Sequence, residues 1–258
     1  MPFRRIIARL DIKGPNVIKG IQMDGLRVIG PVGEIARAYY AQGVDEIIMI
    51  DTVASLYGRE AMADFISDVT SDCFVPITVG GGIRSLSDAD ALFRAGADKI
   101  AINTAALAYP TLITEIAEKY GSQAVVVHIE AKNNESGDWE CFTESGREPS
   151  GVTVFEWLKR AEKMGAGEFF ITNVDRDGTM RGPDTGLLDK VCSSVALPVI
   201  ASSGVGNNMH ASQVFSQTEC EGLAIGSALH YQAIDVGALR SHLTDLGISV
   251  RPGAVGND

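Results

Sequence analysis

The chain has 258 residues, of which 45% are hydrophobic and 21% are charged. This composition excludes a disordered chain and supports a large buried core. The net charge of −11 argues against nonspecific nucleic-acid binding, which needs clustered lysine and arginine, so no nucleic-acid partner is expected. A small phosphorylated ligand is compatible with this charge, because backbone N–H groups can hold a phosphate locally.

The N-terminal segment gives no targeting signal. Residues 1–10 carry three arginines but no long apolar run, so no signal peptide is expected. No stretch approaches the roughly 18 consecutive apolar residues of a membrane span. The four cysteines form no CxxC pair and no cluster with histidine, which favours reduced thiols and predicts neither a metal site nor a cofactor. We therefore expect a cytoplasmic protein with no membrane partner.

Eight short apolar runs alternate with amphipathic segments along the chain. They are rich in valine and isoleucine and show little polar alternation, as parallel strands buried on both faces do. The runs are Arg5–Leu10, Glu46–Ile50, Phe74–Val79, Lys99–Ile102, Ala124–Ile129, Glu168–Thr172, Pro198–Ala201 and Gly222–Ile225. Evenly spaced βα units without a linker predict an α/β protein, a closed (β/α)8 TIM barrel formed by one domain over residues 1–258. A doubly wound open sheet is the alternative.

Helix boundaries between these runs carry local signals. Thr153 and Glu156 have the spacing of a capping box, which predicts a helix start. Pro110 fits the first turn of a helix that ends near Tyr120, and Gly121 fits its C-terminal stop. Each predicted helix therefore fills the interval between two predicted strands.

The chain also repeats itself at a nearly constant offset. The corresponding pairs are Val79–Ile83 with Ala201–Val205, Ala101–Ala106 with Ala224–Leu229, and Asp11 with Glu130. Such a repeat predicts two half-barrels, residues 1–121 and 122–258. The halves must close on each other, because an isolated half leaves its edge strands unpaired.

Two glycine-containing turns, one in each half, are candidate phosphate sites. Gly81 and Gly82 lie between a strand and a helix, where backbone N–H groups can approach an anion, and Asn103 and Thr104 add side-chain donors after the next strand. The matching set in the second half is Gly204, Gly226 and Ser227, with Asp177 and Gly178 beside them. Two facing sites predict a long ligand with a phosphate at each end. Alternatively, these glycines only form tight turns.

Two carboxylates are predicted to end opposite strands and to point into the barrel mouth. Paired groups such as Asp11 and Glu130 suit general acid–base catalysis. The alternative for Asp11 is a strand-end cap or a partner for Lys19. His128 is expected to face away from Glu130 and to be structural. The remaining histidines are expected on the surface or in packing; they are His210, His230 and His242.

With these motifs the chain resembles the cyclase subunit of imidazole glycerol phosphate synthase, from histidine biosynthesis. The resemblance runs from Arg4 to about Val250, and Asp175–Thr179 is its most specific segment. The other matching segments are Val79–Ile83, Gly96–Lys99, Ile102–Ala106 and Gly121–Val127. The resemblance implies a glutaminase partner whose ammonia crosses the barrel. It also implies that a bisphosphorylated ribulosyl aminoimidazole carboxamide ribonucleotide becomes imidazole glycerol phosphate and aminoimidazole carboxamide ribotide.

The resemblance further implies roles for single residues. Asp11 matches a general acid or base, Glu130 stands where the family has a second aspartate, and Lys19 matches a ligand-side residue linked to loop closure. An ammonia gate of two salt bridges at the barrel floor is implied for Arg5, Glu46, Lys99 and Glu168, and a partner-facing position for Asp98. The alternative for the four charges is a barrel plug without a transport role.

Three departures from the family pattern lie at the substrate end. Glu130 replaces an aspartate, Ser203 replaces a glycine, and Asp24–Pro31 lacks acidic residues beside Gly30. Because the floor charges are intact, a second hypothesis is an ammonia-conduit subunit that supplies a separate amidotransferase modifying surface-polysaccharide sugars. A third is the isomerase that precedes the cyclase, in which the floor ring has no purpose. The cyclase is our first hypothesis. It predicts that Asp11→Asn abolishes cyclisation and that Glu130→Asp raises activity if this residue is limiting.

Overall fold

The protein structure is a computed structural model that describes residues 3–52, 59–134 and 137–252. Its strands are β1 (Arg5–Lys13), β2 (Asn16–Ile21), β3 (Asp24–Pro31), β4 (Glu46–Asp51), β5 (Ile77–Gly80), β6 (Lys99–Ile102), β7 (Val125–Asn133), β8 (Trp139–Thr143), β9 (Glu148–Thr153), β10 (Glu168–Asn173), β11 (Val199–Ser202) and β12 (Gly222–Ile225). Its helices are α1 (Val32–Ala41), α2 (Arg59–Asp72), α3 (Leu86–Arg94), α4 (Thr104–Ala108), α5 (Thr111–Tyr120), α6 (Val154–Lys163), α7 (Thr185–Ser194), α8 (Asn208–Gln217), α9 (Ser227–His230) and α10 (Val236–Asp245).

Eight parallel strands form a closed barrel. Their order is β1, β4, β5, β6, β7, β10, β11 and β12, and β12 pairs with β1. The predicted (β/α)8 TIM barrel is confirmed, and the open-sheet alternative is wrong. Within the described residues, no helix is long and apolar enough to cross a membrane.

Several strand boundaries differ from the prediction. The third barrel strand begins at Ile77 rather than Phe74, because the Phe74 side chain is 79% exposed and Pro76 has no N–H group to donate to a ladder. The strands β1 and β7 continue past Asp11 and Glu130, so these residues lie inside their strands rather than at the ends.

This extension produces two hairpins that sequence reasoning missed. The strand β1 pairs antiparallel with β2, which pairs with β3, so a hairpin rises from the first barrel strand. The strand β7 continues in the same way into β8 and β9. Because both hairpins leave the C-terminal ends of barrel strands, they lie over the same face of the barrel.

The core has two layers. The larger layer lies between the strands and the helices, and the smaller one fills the barrel interior. The interior residues are Ile7, Ile48, Ile50, Ala101, Val126, Phe170, Ile200 and Ala224. The predicted capping box of α6 is present, since Thr153 and Glu156 bond to each other's backbone. Pro110 caps α5 and Gly121 ends it with a φ of 87°.

Candidate active site

Alternation along β1 places a series of side chains in the barrel interior. Residues two apart on a strand share a face, so Arg5, Ile7, Arg9 and Asp11 all point inward. Arg5 lies at the floor, Ile7 lies in the apolar interior layer, and Asp11 lies near the C-terminal mouth. The inward side chains of this strand therefore run from the floor of the barrel to its mouth.

Asp11 belongs to a buried network of four charges at the mouth. Lys19 Nζ donates to Asp11 Oδ2 at 2.6 Å and to Asp177 Oδ2 at 2.8 Å. Arg9 Nε donates to Asp11 Oδ1 at 2.9 Å, and Arg9 Nη1 lies 3.5 Å from Asp177 Oδ1. The network balances two cations against two carboxylates, as burial of charge requires. The Asp11–Lys19 pairing that the sequence left as an alternative is therefore present.

These contacts decide the protonation of Asp11. Burial acts to raise its pKa, but the charges and hydrogen bonds of Arg9 and Lys19 outweigh burial and hold the pKa well below its usual range. Asp11 is therefore an ionised carboxylate under ordinary conditions.

Glu130 has the opposite protonation behaviour. Burial raises the pKa of Glu130 to about 7, although the Gly146 N–H donates to its Oε2 at 2.9 Å and acts to lower it. The Arg9 charge also acts to lower this pKa, and Asp11 and Asp177 act to raise it. Glu130 can therefore gain or lose a proton near neutral pH.

The expectation that His128 faces away from Glu130 is wrong. The two residues are two positions apart on β7, so they share a face, and both line the same cavity. His128 Nε2 lies 2.9 Å from Thr172 Oγ1, and its ring stacks on Phe170 at 4.5 Å between centroids. Burial lowers the pKa of His128 to about 3, so its imidazole is neutral.

The predicted first phosphate site borders an open cavity of about 270 Å³. Gly81, Gly82, Asn103 and Thr104 line it together with Glu130. A glycine is required at position 81, because its φ is 98° and an added Cβ would lie 2.2 Å from the Asp51 carbonyl oxygen. Asn103 Nδ2 donates to the Phe142 carbonyl, while its buried Oδ1 has no hydrogen-bond partner among the described residues.

The predicted second phosphate site is nearly filled. Its cavity measures about 20 Å³ and is lined by Arg9 and Lys19. The predicted residues around it are Asp177, Gly178, Gly204, Gly226 and Ser227. The buried hydroxyl of Ser227 has no partner among the described residues, so a donor or acceptor is available here for a ligand. Ser203 has a φ of 89°, and its hydroxyl lies 3.3 Å from Asp177 Oδ1.

The β2–β3 hairpin closes this second site. The Gln22 N–H donates to the Asp177 carbonyl at 2.7 Å, and a Cβ on Gly178 would lie 2.2 Å from the Gly20 carbonyl oxygen. A Cβ on Gly146, in the β8–β9 turn, would lie 3.3 Å from Met23 Sδ. The two hairpins therefore touch each other above the mouth.

The four floor charges form a closed ring at the N-terminal ends of β1, β4, β6 and β10. Arg5 lies 2.7 Å from Glu46 and 2.5 Å from Glu168. Lys99 lies 2.8 Å from Glu168 and 3.4 Å from Glu46. The ring thus has four ion pairs rather than the two expected, because each cation contacts both carboxylates. Asp98 is exposed beside the ring, and its Oδ2 accepts the Ile77 N–H at 2.8 Å.

The other histidines have packing contacts. His230 Nδ1 lies 2.7 Å from the Tyr39 hydroxyl, and the two rings stack. Burial lowers the pKa of His230 to about 4. His210 Nδ1 accepts the Gly206 N–H at 3.2 Å, and His242 is half-buried on α10. None of these three contacts either carboxylate through a hydrogen bond in the described structure.

Sequence reasoning missed Arg9, although a signal was present. Arg9 lies two residues before Asp11 and four after Arg5, so strand alternation places all three on one face. A charged side chain on a fully buried strand is costly unless it is paired. The pattern therefore indicated a partner inside the barrel.

Fold and site together define a (β/α)8-barrel enzyme with two buried carboxylates near its mouth, whose pKa values are displaced in opposite directions. A profile of the family described as "Histidine biosynthesis protein" matches residues 5–235. The "Imidazole glycerol phosphate synthase subunit HisF" of Legionella pneumophila is 55% identical over 202 residues, 78% of this chain and 95% of that protein. Proteins of the same name from Anoxybacillus flavithermus (strain DSM 21510 / WK1) and Streptococcus mutans serotype c are 43% and 39% identical, each over 96% of this chain and 99% of the relative. The chain belongs to the HisF family of histidine biosynthesis proteins.

Proposed function

We propose that the chain is the cyclase subunit of an imidazole glycerol phosphate synthase. It uses ammonia from a separate glutaminase subunit to convert the bisphosphorylated ribulosyl aminoimidazole carboxamide ribonucleotide into imidazole glycerol phosphate and aminoimidazole carboxamide ribotide. The observation that carries this proposal is the pair of buried carboxylates at the mouth, whose pKa values are displaced in opposite directions. The names of the relatives support the substrate class.

The two carboxylates divide the acid–base work in this proposal. Asp11 stays ionised and accepts a proton or stabilises developing positive charge. Glu130 has a pKa of about 7, so it donates a proton in one step and takes one back in another. Environments that separate two pKa values in this way are typical of paired catalytic carboxylates.

The substrate phosphates are assigned to the two glycine-containing turns. One phosphate occupies the cavity of about 270 Å³ beside Gly81 and Gly82. The other meets the free Ser227 hydroxyl in the second site, where space is limited by Lys19. We infer that Lys19 leaves both Asp11 and Asp177 for the incoming phosphate, which requires the β2–β3 hairpin to move.

Ammonia enters through the floor ring in this proposal. Lys99 is the most exposed member, at 20%, and its pair with Glu46 is the longest at 3.4 Å. That pair is therefore the one we expect to open. Above the ring lies the apolar interior layer, which a neutral ammonia molecule crosses at far lower cost than an ammonium ion.

The partner and the location complete the proposal. The glutaminase docks on the floor face, where Asp98 is exposed next to Lys99. A cytoplasmic location suits the four cysteines, which are free thiols in the structure. The two half-barrels of the sequence repeat, residues 1–121 and 122–258, act as one catalytic domain with one phosphate site each.

The test is turnover of the bisphosphorylated ribonucleotide by the purified chain with saturating ammonium salt and no glutaminase. Ammonium bypasses the floor, so only the mouth is tested, and we expect product formation. Asp90→Asn, on the outer surface of α3, is a matched control that should retain activity. No turnover by folded protein that still binds the substrate would overturn the proposal in favour of an ammonia conduit for a separate amidotransferase. That alternative is not favoured, because the relatives compared are all named as synthase subunits.

A further inference from the structure

Arg9 is a buried arginine to which the proposed chemistry gives no role. Its side chain is 3% exposed. Its Nε donates to Asp11 Oδ1 at 2.9 Å, and its Nη1 donates to Ser202 Oγ at 3.0 Å and to Thr172 Oγ1 at 3.1 Å. Its guanidinium also lies 5.6 Å from the centre of the Phe170 ring. These partners come from β11 and β10, which lie two and three strands from β1 around the barrel, so Arg9 is fixed by strands with which β1 does not pair.

The sequence repeat aligns Arg9 and Asp11 with His128 and Glu130. In both pairs the residues are two positions apart and face the interior. The side chain below Asp11 is a guanidinium, which is always charged, whereas the side chain below Glu130 is a neutral imidazole. Thr172 Oγ1 contacts both, at 3.1 Å from Arg9 Nη1 and 2.9 Å from His128 Nε2. The two equivalent carboxylates therefore differ in the charge of the side chain two positions before them on the strand.

We propose that Arg9 is a positioning residue that holds Asp11 in one orientation as a permanent anion and leaves Glu130 as the group that exchanges a proton. This inference rests on the cyclase function proposed above. Arg9 acts through Asp11 and Glu130, and it is not itself assigned a contact with the substrate.

The geometry also distinguishes the two oxygens of Asp11. Oδ1 is bound by Arg9, which belongs to the barrel wall, and Oδ2 is bound by Lys19, which belongs to the hairpin. When a ligand phosphate draws Lys19 away, only Oδ2 is released. Arg9 then keeps the carboxylate in place, so Oδ2 is the oxygen that we expect to face the reacting atoms.

Other charged groups surround both carboxylates. Asp11 is faced by Arg9 and Lys19, with Asp177 and His230 nearby, and the Glu130 cavity is also lined by Asp51, Arg84, His128 and Glu144. Arg9 acts on both carboxylates, since its charge lowers the pKa of Asp11 and that of Glu130. Removing this charge should therefore move both titrations to higher pH.

The test uses Arg9→His, which makes the first pair resemble the second, and Arg9→Lys, which keeps the charge. Turnover is measured as kcat and KM from pH 5 to 9 with ammonium salt. For Arg9→His we expect kcat to fall about 100-fold with little change in KM, because Asp11 loses its fixed orientation. The inflection of the kcat–pH profile near pH 7, which we assign to Glu130, should move to higher pH. In Arg9→Lys, this inflection should lie at the wild-type pH, and kcat should lie between those of the wild type and Arg9→His.

Arg4→His is the matched control, since Arg4 is also buried but lies immediately before β1, at the floor end of the barrel. It should leave the inflection in place. An unmoved inflection in Arg9→His, with only a lower melting temperature, would reduce Arg9 to a packing role and overturn the proposal. A rise in KM at constant kcat would overturn it as well.

A second readout separates this inference from the cyclase proposal. The ¹³C carboxyl resonances of Asp11 and Glu130 can be titrated in the wild type and in both Arg9 variants without any turnover. If the wild type does not cyclise the substrate but both resonances titrate at higher pH in Arg9→His, the cyclase function fails and the control of protonation by Arg9 stands. Unchanged titrations would overturn the inference. If Arg9→His does not fold, Arg9→Lys decides, because lysine keeps the charge but loses the fork of donors. We then expect a lower kcat with the inflection in place, and an unchanged kcat would overturn the proposal.

Discussion

The two candidate phosphate sites differ sharply although the sequence repeat makes them equivalent. The first borders a cavity of about 270 Å³, whereas the second has about 20 Å³ because Lys19 and Arg9 fill it. The carboxylate beside the open site is Glu130, and the one beside the closed site is Asp11. A repeated scaffold thus holds one carboxylate in a cation-rich closed pocket and the other in an open, cation-poor one. The comparison teaches that burial favours a proton on both carboxylates and that only Asp11 has enough neighbouring positive charge to outweigh it.

The largest expected effect comes from removing the negative charge of Asp11, the carboxylate beside the closed site. Asp11→Asn should lower ammonium-dependent turnover by about 10³-fold, because it removes the ionised carboxylate and leaves Arg9 and Lys19 with one anion fewer. Activity within a few-fold of the wild type in this variant would remove Asp11 from the mechanism. Steady-state kinetics of Asp11→Asn and of the surface variant Asp90→Asn, measured side by side, supply the comparison.

The second test removes the lysine that fills the second phosphate site and measures the effect on stability. Lys19→Met should lower the free energy of unfolding by about 3 kcal/mol, because Asp11 and Asp177 lose a buried partner. Urea unfolding measures this, and the exposed Lys13→Met on β1 is the matched control. A change as small as that of the control would mean that Lys19 does not stabilise the closed site.

The open side should show a stability effect that depends on pH. Burial raises the pKa of Glu130 from 4.5 to about 7, so between these values the folded state binds the proton and the unfolded state does not. Stability therefore falls as pH rises through this window, by roughly 3 kcal/mol in full. Glu130→Gln lacks this cost and should be more stable than the wild type at pH 8, with the difference narrowing toward pH 4.

Unfolding curves from pH 4 to pH 9 measure that difference, and the exposed Glu118→Gln on α5 serves as the control. A constant difference across this range would contradict the raised pKa of Glu130.

Shortening the same side chain is the fourth test. Glu130→Asp withdraws the carboxylate from the Gly146 N–H, which lies 2.9 Å from Oε2. We expect turnover to fall roughly 10- to 100-fold, since misplacement by about 1 Å has this cost. This expectation is opposite to the gain that the sequence predicted for the case in which Glu130 limits the reaction. A gain in turnover would mean that glutamate limits the reaction and that the hairpin contact is dispensable.

The smallest effect concerns the turns themselves. Ser203→Gly removes a side chain at a φ of 89° but also its contact with Asp177, so we expect a stability change of about 1 kcal/mol or less. The equivalent Gly81→Ser should cost more, because its Cβ would lie 2.2 Å from the Asp51 carbonyl oxygen. Melting temperatures of both variants test this order, and equal effects would contradict it.

Much of the fold was predictable because its signals are local. Eight evenly spaced apolar runs rich in valine and isoleucine indicate buried strands, and the capping box at Thr153 marks a helix start without help from distant residues. The hairpins were not predictable in the same way. The strand β3 is mostly exposed, and the place of its hairpin depends on contacts of Gly20 and Gln22 with Asp177 and Gly178, far along the chain.

The candidate site shows the same limit. The residues at the mouth and the floor were identified from motifs and resemblance, and their roles stay predictions. The partners of Arg9 could not be predicted, because Thr172 and Ser202 are brought to it only by barrel closure. The misassigned direction of His128 had a different cause, since strand alternation alone would have placed it beside Glu130.

The floor ring has a consequence for the history of the molecule. Glu46 and Glu168 begin the second strand of each half, so the two acids descend from one ancestral position if the chain arose by duplication. The bases do not, because the equivalent of Lys99 is Gly222, and a Cβ on Gly222 would lie 3.5 Å from Arg5 Nη2. A fully symmetric ancestor would have set four bases against two acids. Neither base has a basic counterpart in the other half, since Ala124 stands at the position of Arg5 and Gly222 at that of Lys99, so on this history the ring of two bases and two acids arose only as the copies diverged.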